Sequence, residues 1–354
     1  MPDLIGGAAV INFALINMAL ALSIYLTLST GLLSLANAGF MAIGAYTAAV
    51  LASQAGAGLG VSFPLALLIG ASVAFLLGLI VLRLRDVYLA IATLGFGEIV
   101  TIAALNADKI LRAISGNERL VVFNGAEGIT LPYASPRAVF GLAESTWPLL
   151  LYVLALAYLV ATLRRSHHGR VLASIRLDES AAATLGVNVV RYKLLAFVLG
   201  ATIAAGAGAL STPIVRVIDP RNYVFTRAVD ILASAVLGGV SHWSGPLIGA
   251  ALLTGLPEAL RFLREQRDVV NGLIIMLSII FLPRGLADPR FWSGLLGRRG
   301  GASGRKAGDP GLLAGREAPV ATVGVADTQV AAGAAAAGAA AGAGDAPGRG
   351  GPTT

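Results

Sequence analysis

Residues 166–193 read SHHGRVLASIRLDESAAATLGVNVVRYK, the longest charge-bearing polar interruption in the hydrophobic second half of the chain. The apolar segments on either side are each long enough to cross a bilayer. Asp178 can act as an N-cap, Glu179 suits the positive end of a helix dipole, and the following residues are mostly good helix formers. Gly186 favours a helix end, because glycine adopts the left-handed conformation at little cost. The stretch therefore predicts a short, water-exposed helix.

A second helical signal precedes this one. Val171, Leu172 and Ile175 alternate with polar residues at roughly helical spacing, which predicts an amphipathic surface segment. Two interpretations of residues 166–193 stay open on the residues alone: an ordinary solvated loop, or a docking element for a soluble partner.

The composition indicates a membrane protein. Of the 354 residues, 56% are hydrophobic and only 13% charged, against about a quarter charged in soluble domains. The net charge of +7 comes largely from arginines at the ends of apolar runs and in the C-terminal tail, so membrane orientation explains it better than nucleic-acid binding. The absence of cysteine excludes disulfides, thiol catalysis and cysteine-based metal sites.

The apolar runs predict an all-α polytopic membrane protein with about nine transmembrane helices, eight to ten, some of them broken. Residues 4–82 contain no charged side chain, enough for three spans of ~20 residues. Glycine-rich stretches and charged ends divide the remainder. The predicted spans are residues 9–30, 38–54, 62–82, 87–107, 147–163, 194–215, two shorter spans within 231–257, and 269–282.

Two of the divisions are apolar breaks without charge, TGLLSLANAGF at residues 30–40 and GGVSHWSGP at 238–246. Irregular backbone at membrane depth is tolerated only where it is buried in protein or lines a cavity. The two breaks are similar, which suggests an internal duplication. The candidate residues of a translocation path are Ser34, Asn37, Glu98, Asp230 and Ser241, although helix packing is the commoner role of such polar groups.

Glu98 is the only charged residue within its span. A rise of ~1.5 Å per residue from Asp86 places it about 18 Å along the helix, near the middle of a ~30 Å hydrocarbon core. A carboxylate there must be protonated, paired or hydrated. Glu98 therefore indicates either a pathway or a hydrogen bond between helices.

Basic residues at the span ends predict the orientation, with the N-terminus external. On this basis residues 1–296 form a transmembrane domain, in which 108–145 is an external loop segment and 166–193 a cytoplasmic loop. Residues 297–354 are dominated by Gly, Ala, Arg and Pro without periodicity, which predicts a disordered cytoplasmic tail.

Four segments carry a family resemblance in order: GLLSLANAGFMAIGAYTAAVL, YLAIATLGFGE, SIRLDESAAATLGVNVVRYKLLAFVLGATIAAGAGAL and VLGGVSHWSGPLIGA. Together they resemble the permease subunits of branched-chain amino acid ABC importers over roughly residues 10–290. The loop is similar to that family's EAA-type coupling motif, with Glu179, Ala181, Ala182 and Gly186 in the pattern and Ser180 inserted. The segment NGAEG at 124–128 departs from a glycine-rich stretch common in relatives.

The resemblance implies a bacterial-type inner-membrane permease domain without cofactors. Its implied partners are a second, related permease in a heterodimer, two cytoplasmic ATPases and an external substrate-binding protein. The ATPases would grip residues 166–193 and act on Gly169, Arg170, Ala173, Arg176, Asp178, Glu179, Ala181, Ala182 and Gly186. The sequence has no P-loop, so ATP would be handled by another chain and this subunit would not be an enzyme.

Three alternatives remain at this point. An ABC permease for urea, a sugar or a nucleoside has the same broad architecture. A secondary transporter driven by an ion gradient would also have broken helices and an acid such as Glu98. An intramembrane enzyme would need a catalytic set at depth, for which the sequence offers only Glu98 and Asp230.

Overall fold

The computed structural model describes residues 2–84, 86–115, 122–123, 125–131, 138–139, 142–215, 217–240 and 242–259. The expected span 269–282, the expected tail 297–354 and Ser241 lie outside these residues. The ten described α-helices are α1 (Pro2–Leu28), α2 (Asn37–Gln54), α3 (Leu59–Val81), α4 (Asp86–Ser115), α5 (Thr146–Arg165), α6 (His167–Leu177), α7 (Glu179–Thr184), α8 (Val189–Val215), α9 (Phe225–Gly238) and α10 (Gly245–Ala259).

Four two-residue strands lie between the helices: β1 (Ile129–Thr130), β2 (Ala138–Val139), β3 (Leu142–Ala143) and β4 (Val217–Ile218). β1 pairs antiparallel with β4, and β2 pairs antiparallel with β3. The first pairing ties the segment after α4 to the segment after α8. The protein is therefore an all-α polytopic membrane protein with only minor strand pairing.

Five described helices are long and apolar enough to cross a membrane: residues 9–28 of α1, α3, residues 87–113 of α4, α5 and α8. Their lengths suit a ~30 Å hydrocarbon core. The chain is therefore an integral membrane protein.

Close contacts between backbones hold the bundle together, with α8 at its centre. A Cβ on Gly200 would lie 2.9 Å from the Ser23 carbonyl oxygen of α1, and a Cβ on Gly208 would overlap the Met41 carbonyl of α2. From the other side, a Cβ on Gly44 would overlap the Ala205 carbonyl of α8. The stripe of small residues in α8 thus lets α1 and α2 approach it directly.

The second predicted break separates α9 from α10, which pack as an antiparallel helical hairpin. Gly238 faces Gly245 at the turn, and Gly249 lies against the Ser234 carbonyl one turn further along. Gly239 has φ +93°, a conformation that glycine adopts without strain. α9 has 14 residues, or about 21 Å, so it is too short to span the hydrocarbon core alone.

Four helix ends differ from the sequence expectation by five or more residues. α1 begins at Pro2 instead of 9, α4 continues through Ser115 instead of ending at residue 107, α8 begins at Val189 instead of 194, and α9 begins at Phe225 instead of 231. The charged residues near these ends are compatible with helix but were read as loop, because the spans were delimited by apolar content. Asp108 is one of these charged residues within α4. Its Oδ1 accepts 2.8 Å hydrogen bonds from the backbone amides of Val122 and Phe123, so the charge has partners although it lies inside the helix.

Replacing Gly44 by alanine should destabilise the bundle. The new methyl group would overlap the Ala205 backbone, and overpacking of this kind costs about 1–3 kcal/mol. Gly95→Ala is the matched control, because its Cβ meets nothing within 4 Å and alanine favours helix by up to about 1 kcal/mol. Thermal unfolding of the purified protein in detergent checks this, and an unchanged midpoint for Gly44→Ala would contradict the packing argument.

Candidate functional site

The water-facing segment formed by α6 and α7 has its own local stabilisation. Asp178 Oδ1 accepts hydrogen bonds from the backbone amides of Ser180 (2.9 Å) and Ala181 (3.0 Å) and from the Ser180 hydroxyl (2.7 Å). The Ala181 amide, followed by the Ser180 hydroxyl, holds the pKa of Asp178 below its ordinary value. This capping is therefore complete above the ordinary carboxyl pKa and is lost as the pH falls below it. Gly186, with φ +82°, ends the helix, as the sequence predicted.

A small apolar core joins α6, α7 and the start of α8. Ile175, Ala182 and Val189 are buried against one another. At its edge, Lys193 Nζ lies 2.6 Å from Glu179 Oε2, with the lysine side chain only 14% exposed. These contacts make residues 167–193 one packed unit instead of a solvated loop.

The structure separates the nine residues predicted for coupling into two groups. Ala182 is buried in the small core. A Cβ on Gly169 would overlap the Leu163 carbonyl at the α5–α6 corner, so both positions serve packing. The exposed residues are Arg170, Ala173, Arg176, Asp178, Glu179, Ala181 and Gly186.

Two exposed leucines of this unit were missed by the sequence analysis. Leu177 is 88% exposed and Leu185 83% exposed, although each adjoins α7 and lies in water-facing chain. These large apolar side chains are left uncovered at the two ends of α7. The spacing of apolar residues along a helix does not show whether that face is buried or exposed. Judged from spacing alone, both leucines would be assigned to a core.

The same unit meets the first predicted break. Gly31, with φ +78°, lies against α6, where its Cβ position is 3.7 Å from Arg176 Cα and 3.8 Å from Arg176 Cγ. Between the break, the α3–α4 corner and the α6–α7 unit lies a largely polar cavity of about 500 Å³. Residues 30–32 of the first break therefore lie beside the water-facing segment.

The polar residues of this break are buried and hydrogen-bonded. Asn37 donates to the Ser23 hydroxyl, which donates to the Gly200 carbonyl at 2.7 Å, so the three link α2, α1 and α8. Ser34 accepts from the Ala36 amide at 3.3 Å. Ser34 and Asn37 thus stabilise the break and its neighbours in this conformation.

Glu98 lies against the beginning of α9. Its Oε1 accepts a 3.2 Å hydrogen bond from the Phe225 backbone amide, the first residue of that helix. The structure thus brings Glu98 to the helix that carries Asp230, which is exposed. This hydrogen bond gives the Glu98 carboxylate a partner on another helix.

A half-buried chain of polar side chains two residues further along α9 was also missed. Arg227 donates to Asn17 Oδ1 at 2.7 Å, and Asn17 donates to Thr254 Oγ1 at 2.8 Å. One side chain of α1 thereby holds both helices of the α9–α10 hairpin. Sequence analysis placed Arg227 in a charged loop, and no local signal pairs it with a residue 210 positions away.

An apolar cavity of about 440 Å³ lies between α2, α3 and α4. Of its lining groups, the Tyr46 hydroxyl donates to the Ile218 carbonyl and the Thr47 hydroxyl donates to the Ile43 carbonyl. Its hydroxyl donors are thus committed to backbone carbonyls. The cavity suits hydrocarbon better than a zwitterionic head group.

Comparison with known proteins gives a family match over residues 8–282, to the family described as branched-chain amino acid transport system / permease component. The permease protein LivM of the high-affinity branched-chain amino acid transport system of Salmonella typhimurium is 35% identical over 297 residues, covering 78% of this chain and 68% of that protein. LivH of the Escherichia coli system is 35% identical over 137 residues, covering 38% of this chain and 44% of that protein.

A probable branched-chain amino acid transport permease protein of Methanocaldococcus jannaschii is 29% identical over 288 residues, covering 78% of this chain and 86% of that protein. No solved structure gave a significant match. The family match covers most of the chain, including the bundle, the α6–α7 unit and both breaks. The chain therefore belongs to the family of permease components of branched-chain amino acid transport systems.

Proposed function

We propose that this chain is the transmembrane permease subunit of an ABC importer that carries branched-chain amino acids across a bacterial-type inner membrane. The observation that carries the proposal is the family match over residues 8–282. The matched residues include the packed, water-facing α6–α7 unit, a surface of the kind that a separate ATPase could bind. The subunit forms the translocation path, and separate ATPases supply the energy.

The proposed assembly contains a second, related permease, two cytoplasmic ATPases and an external substrate-binding protein. Similarity of this chain to both LivM and LivH supports a pairing of two related permeases. Nucleic acid has no part in the assembly. The positive charge of the chain serves orientation in the membrane.

In this assembly the ATPases dock on the exposed side of residues 166–193. Leu177 and Leu185 are the proposed apolar anchors, and Arg170, Arg176 and Glu179 are exposed charged residues of the same unit. Because the small core joins α6 and α7 to α8, the unit moves as a lever. Its contact with Gly31 brings that movement to the first break.

The proposed translocation path includes Ser34, Asn37, Glu98, Asp230 and Ser241. Asp230 is exposed and Glu98 half-buried, which supports access to a path beside α9. Ser34 and Asn37 are buried, so they reach the path only after the break has moved.

Uptake by the reconstituted transporter tests the function. Proteoliposomes containing both permeases and the ATPases, supplied with binding protein and ATP, should accumulate labelled leucine, isoleucine or valine. The three should compete with one another, whereas urea, sugars and nucleosides should not. ATP-dependent uptake of one of those other solutes instead would reassign the substrate.

An ion-coupled transporter is the second candidate, favoured by the acid Glu98 within the bundle. An ion-coupled carrier loses uptake when an uncoupler collapses the gradient and needs no ATPase. The proposed importer keeps ATP-dependent uptake in the presence of the uncoupler.

Leu177→Asp and Leu185→Asp should each weaken ATPase binding about tenfold, since loss of an interface anchor costs at least 1–2 kcal/mol. Both side chains are exposed, so thermal unfolding of the permease should be unchanged. Leu177→Met and Leu185→Met are the matched controls and should bind normally. Unchanged ATPase affinity of the double Asp variant would contradict the assignment of Leu177 and Leu185 to the ATPase-docking surface.

Glu179→Lys should reduce uptake per ATP hydrolysed about fivefold, because it places a second ammonium beside Lys193 and separates α7 from α8. The Glu179 side chain is 49% exposed, so the pair contributes less than about 1 kcal/mol to stability, and the unfolding midpoint should hardly move. Lys193→Glu should have the same effect, and the double exchange should restore coupling. If all three variants took up as much substrate per ATP as the wild type, the pair of Glu179 and Lys193 would not position the lever.

A bulky residue at Gly186 should also uncouple hydrolysis from uptake while the bundle stays folded. No atom lies within 4 Å of its Cβ position, but φ is +82°, so a side chain strains the end of α7 without crowding the core. Gly58→Val, at another uncrowded position with φ −68°, is the control. ATP hydrolysis and uptake are measured on the same proteoliposomes, and normal coupling in Gly186→Val would contradict the lever.

A further inference from the structure

The N-terminus of α9 lacks a cap of its own. Val224 occupies the N-cap position in extended conformation without a side-chain hydrogen bond, and valine is among the poorest N-caps. The Glu98 carboxylate of α4 accepts from the Phe225 amide instead and places negative charge at the positive end of the helix dipole. The cap of α9 is therefore supplied by a different helix.

A cap supplied by another helix, unlike a local cap, depends on the contact between the two helices. Asp178 caps α7 from the adjoining position and moves with it. Glu98 can cap α9 only while α4 and α9 stay in contact. Separation of the two helices leaves the Phe225 amide without this acceptor, and in a membrane an unsatisfied amide favours either close contact or access of water.

The first break lies beside this contact. Leu35 and Ala38 line a cavity of about 10 Å³ together with Gly97, Glu98 and Phe225, which holds at most about one water. A Cβ on Gly39 would lie 3.1 Å from Gly97 Cα, so α2 and α4 cross here almost at backbone contact. Glu98 thus faces a closed junction in this conformation, too small for an amino acid.

The same break reaches the α6–α7 unit at its other end. Gly31 contacts Arg176 of α6, and the Leu35 amide donates to Thr93 Oγ1 of α4 at 3.0 Å. Thr93 lies five residues before Glu98 on the same helix. The eight residues between α1 and α2 therefore connect α6 to the part of α4 that holds α9.

We infer that Glu98 is a positioning residue that latches α9 to α4 in the closed junction, and that movement of residues 29–36 releases this latch. Because Arg227 and Thr254 both bind through Asn17, the released α9–α10 hairpin stays attached to α1. The hairpin then swings away from α4 and opens the space beside Glu98. The latch itself is independent of the proposed function, whereas its release by ATPase movement depends on it.

The latch is tested by cross-linking in the full-length subunit in lipid nanodiscs. The chain contains no cysteine, so Leu94→Cys and Ala228→Cys, at two positions lining the junction, introduce the only thiols. With a short bifunctional thiol reagent, Glu98→Ala should lower the cross-link yield about fivefold, the factor that about 1 kcal/mol represents. Glu98→Gln keeps a carbonyl oxygen for Phe225 and should retain most of the yield.

Ile99→Ala, on the exposed side of α4, is the control and should leave the yield unchanged. Undiminished cross-linking in Glu98→Ala would overturn the latch. An equal loss in Glu98→Gln would overturn it as well, because the amide oxygen can still accept the hydrogen bond.

A second variant separates the latch from simple loss of folding. Val224→Ser gives α9 a hydroxyl at the N-cap position, where the backbone is already extended. In Val224→Ser with Glu98→Ala, hydrogen exchange of the first turn of α9 should return to the wild-type rate, while the cross-link yield stays low. Recovery of both would mean that Glu98 only stabilises the helix and does not hold it to α4.

The release step is tested in the assembled transporter with both permeases and the ATPases. Trapping the ATPases in the ATP-bound state should change the cross-link yield in the wild type about fivefold, and Leu177→Asp should abolish that response. An unchanged yield in a transporter that still couples ATP to uptake would overturn the release step. A subunit that shows the latch but does not assemble with ATPases would instead refute the proposed function alone.

Discussion

Every helix end leaves backbone N–H and C=O groups that need a partner, and away from water the protein itself must meet this requirement. α7 meets it locally through Asp178. The break before α2 meets it through the hydroxyls of Ser34 and Thr93. α9 meets it through Glu98 on a distant helix. The three solutions differ in one respect that matters mechanically: only the last two depend on how separate helices are placed.

That dependence distinguishes rigid parts of the bundle from parts able to shift. α8 meets α1 and α2 at positions where no Cβ could be inserted, and close-packed interiors transmit displacement instead of absorbing it. The α9–α10 hairpin is equally tight internally, at Gly238 and Gly249. The hairpin packs extensively on α1, where Arg227 and Thr254 both hydrogen-bond Asn17. Toward α4 its contact is small and includes the hydrogen bond from Phe225 to Glu98, so this is the side on which the hairpin is able to shift.

Much of this architecture could be predicted from local sequence signals, since apolar length, glycine and capping residues act within a few positions. The α7 helix follows from Asp178 and Gly186, and both breaks follow from clustered glycine without charge. The site was less predictable. Glu98 was recognised as costly, yet its partner lies 127 residues away, and the exposure of Leu177 and Leu185 depends on how α6 folds back. Arg227 was read as loop because charge was taken as a boundary, while Asn17 made its burial possible.

The contacts also refine what the family membership implies for individual residues. Of the residues matching the coupling motif, Ala182 is buried in the small core, whereas Ala181 and Gly186 are exposed. The two adjacent alanines therefore have different surroundings: Ala182 packs in the small core with α6 and α8, whereas Ala181 faces outward. In the proposed assembly, an ATPase that contacts Ala181 would act on Ala182, and so on the small core, through the same turn of helix.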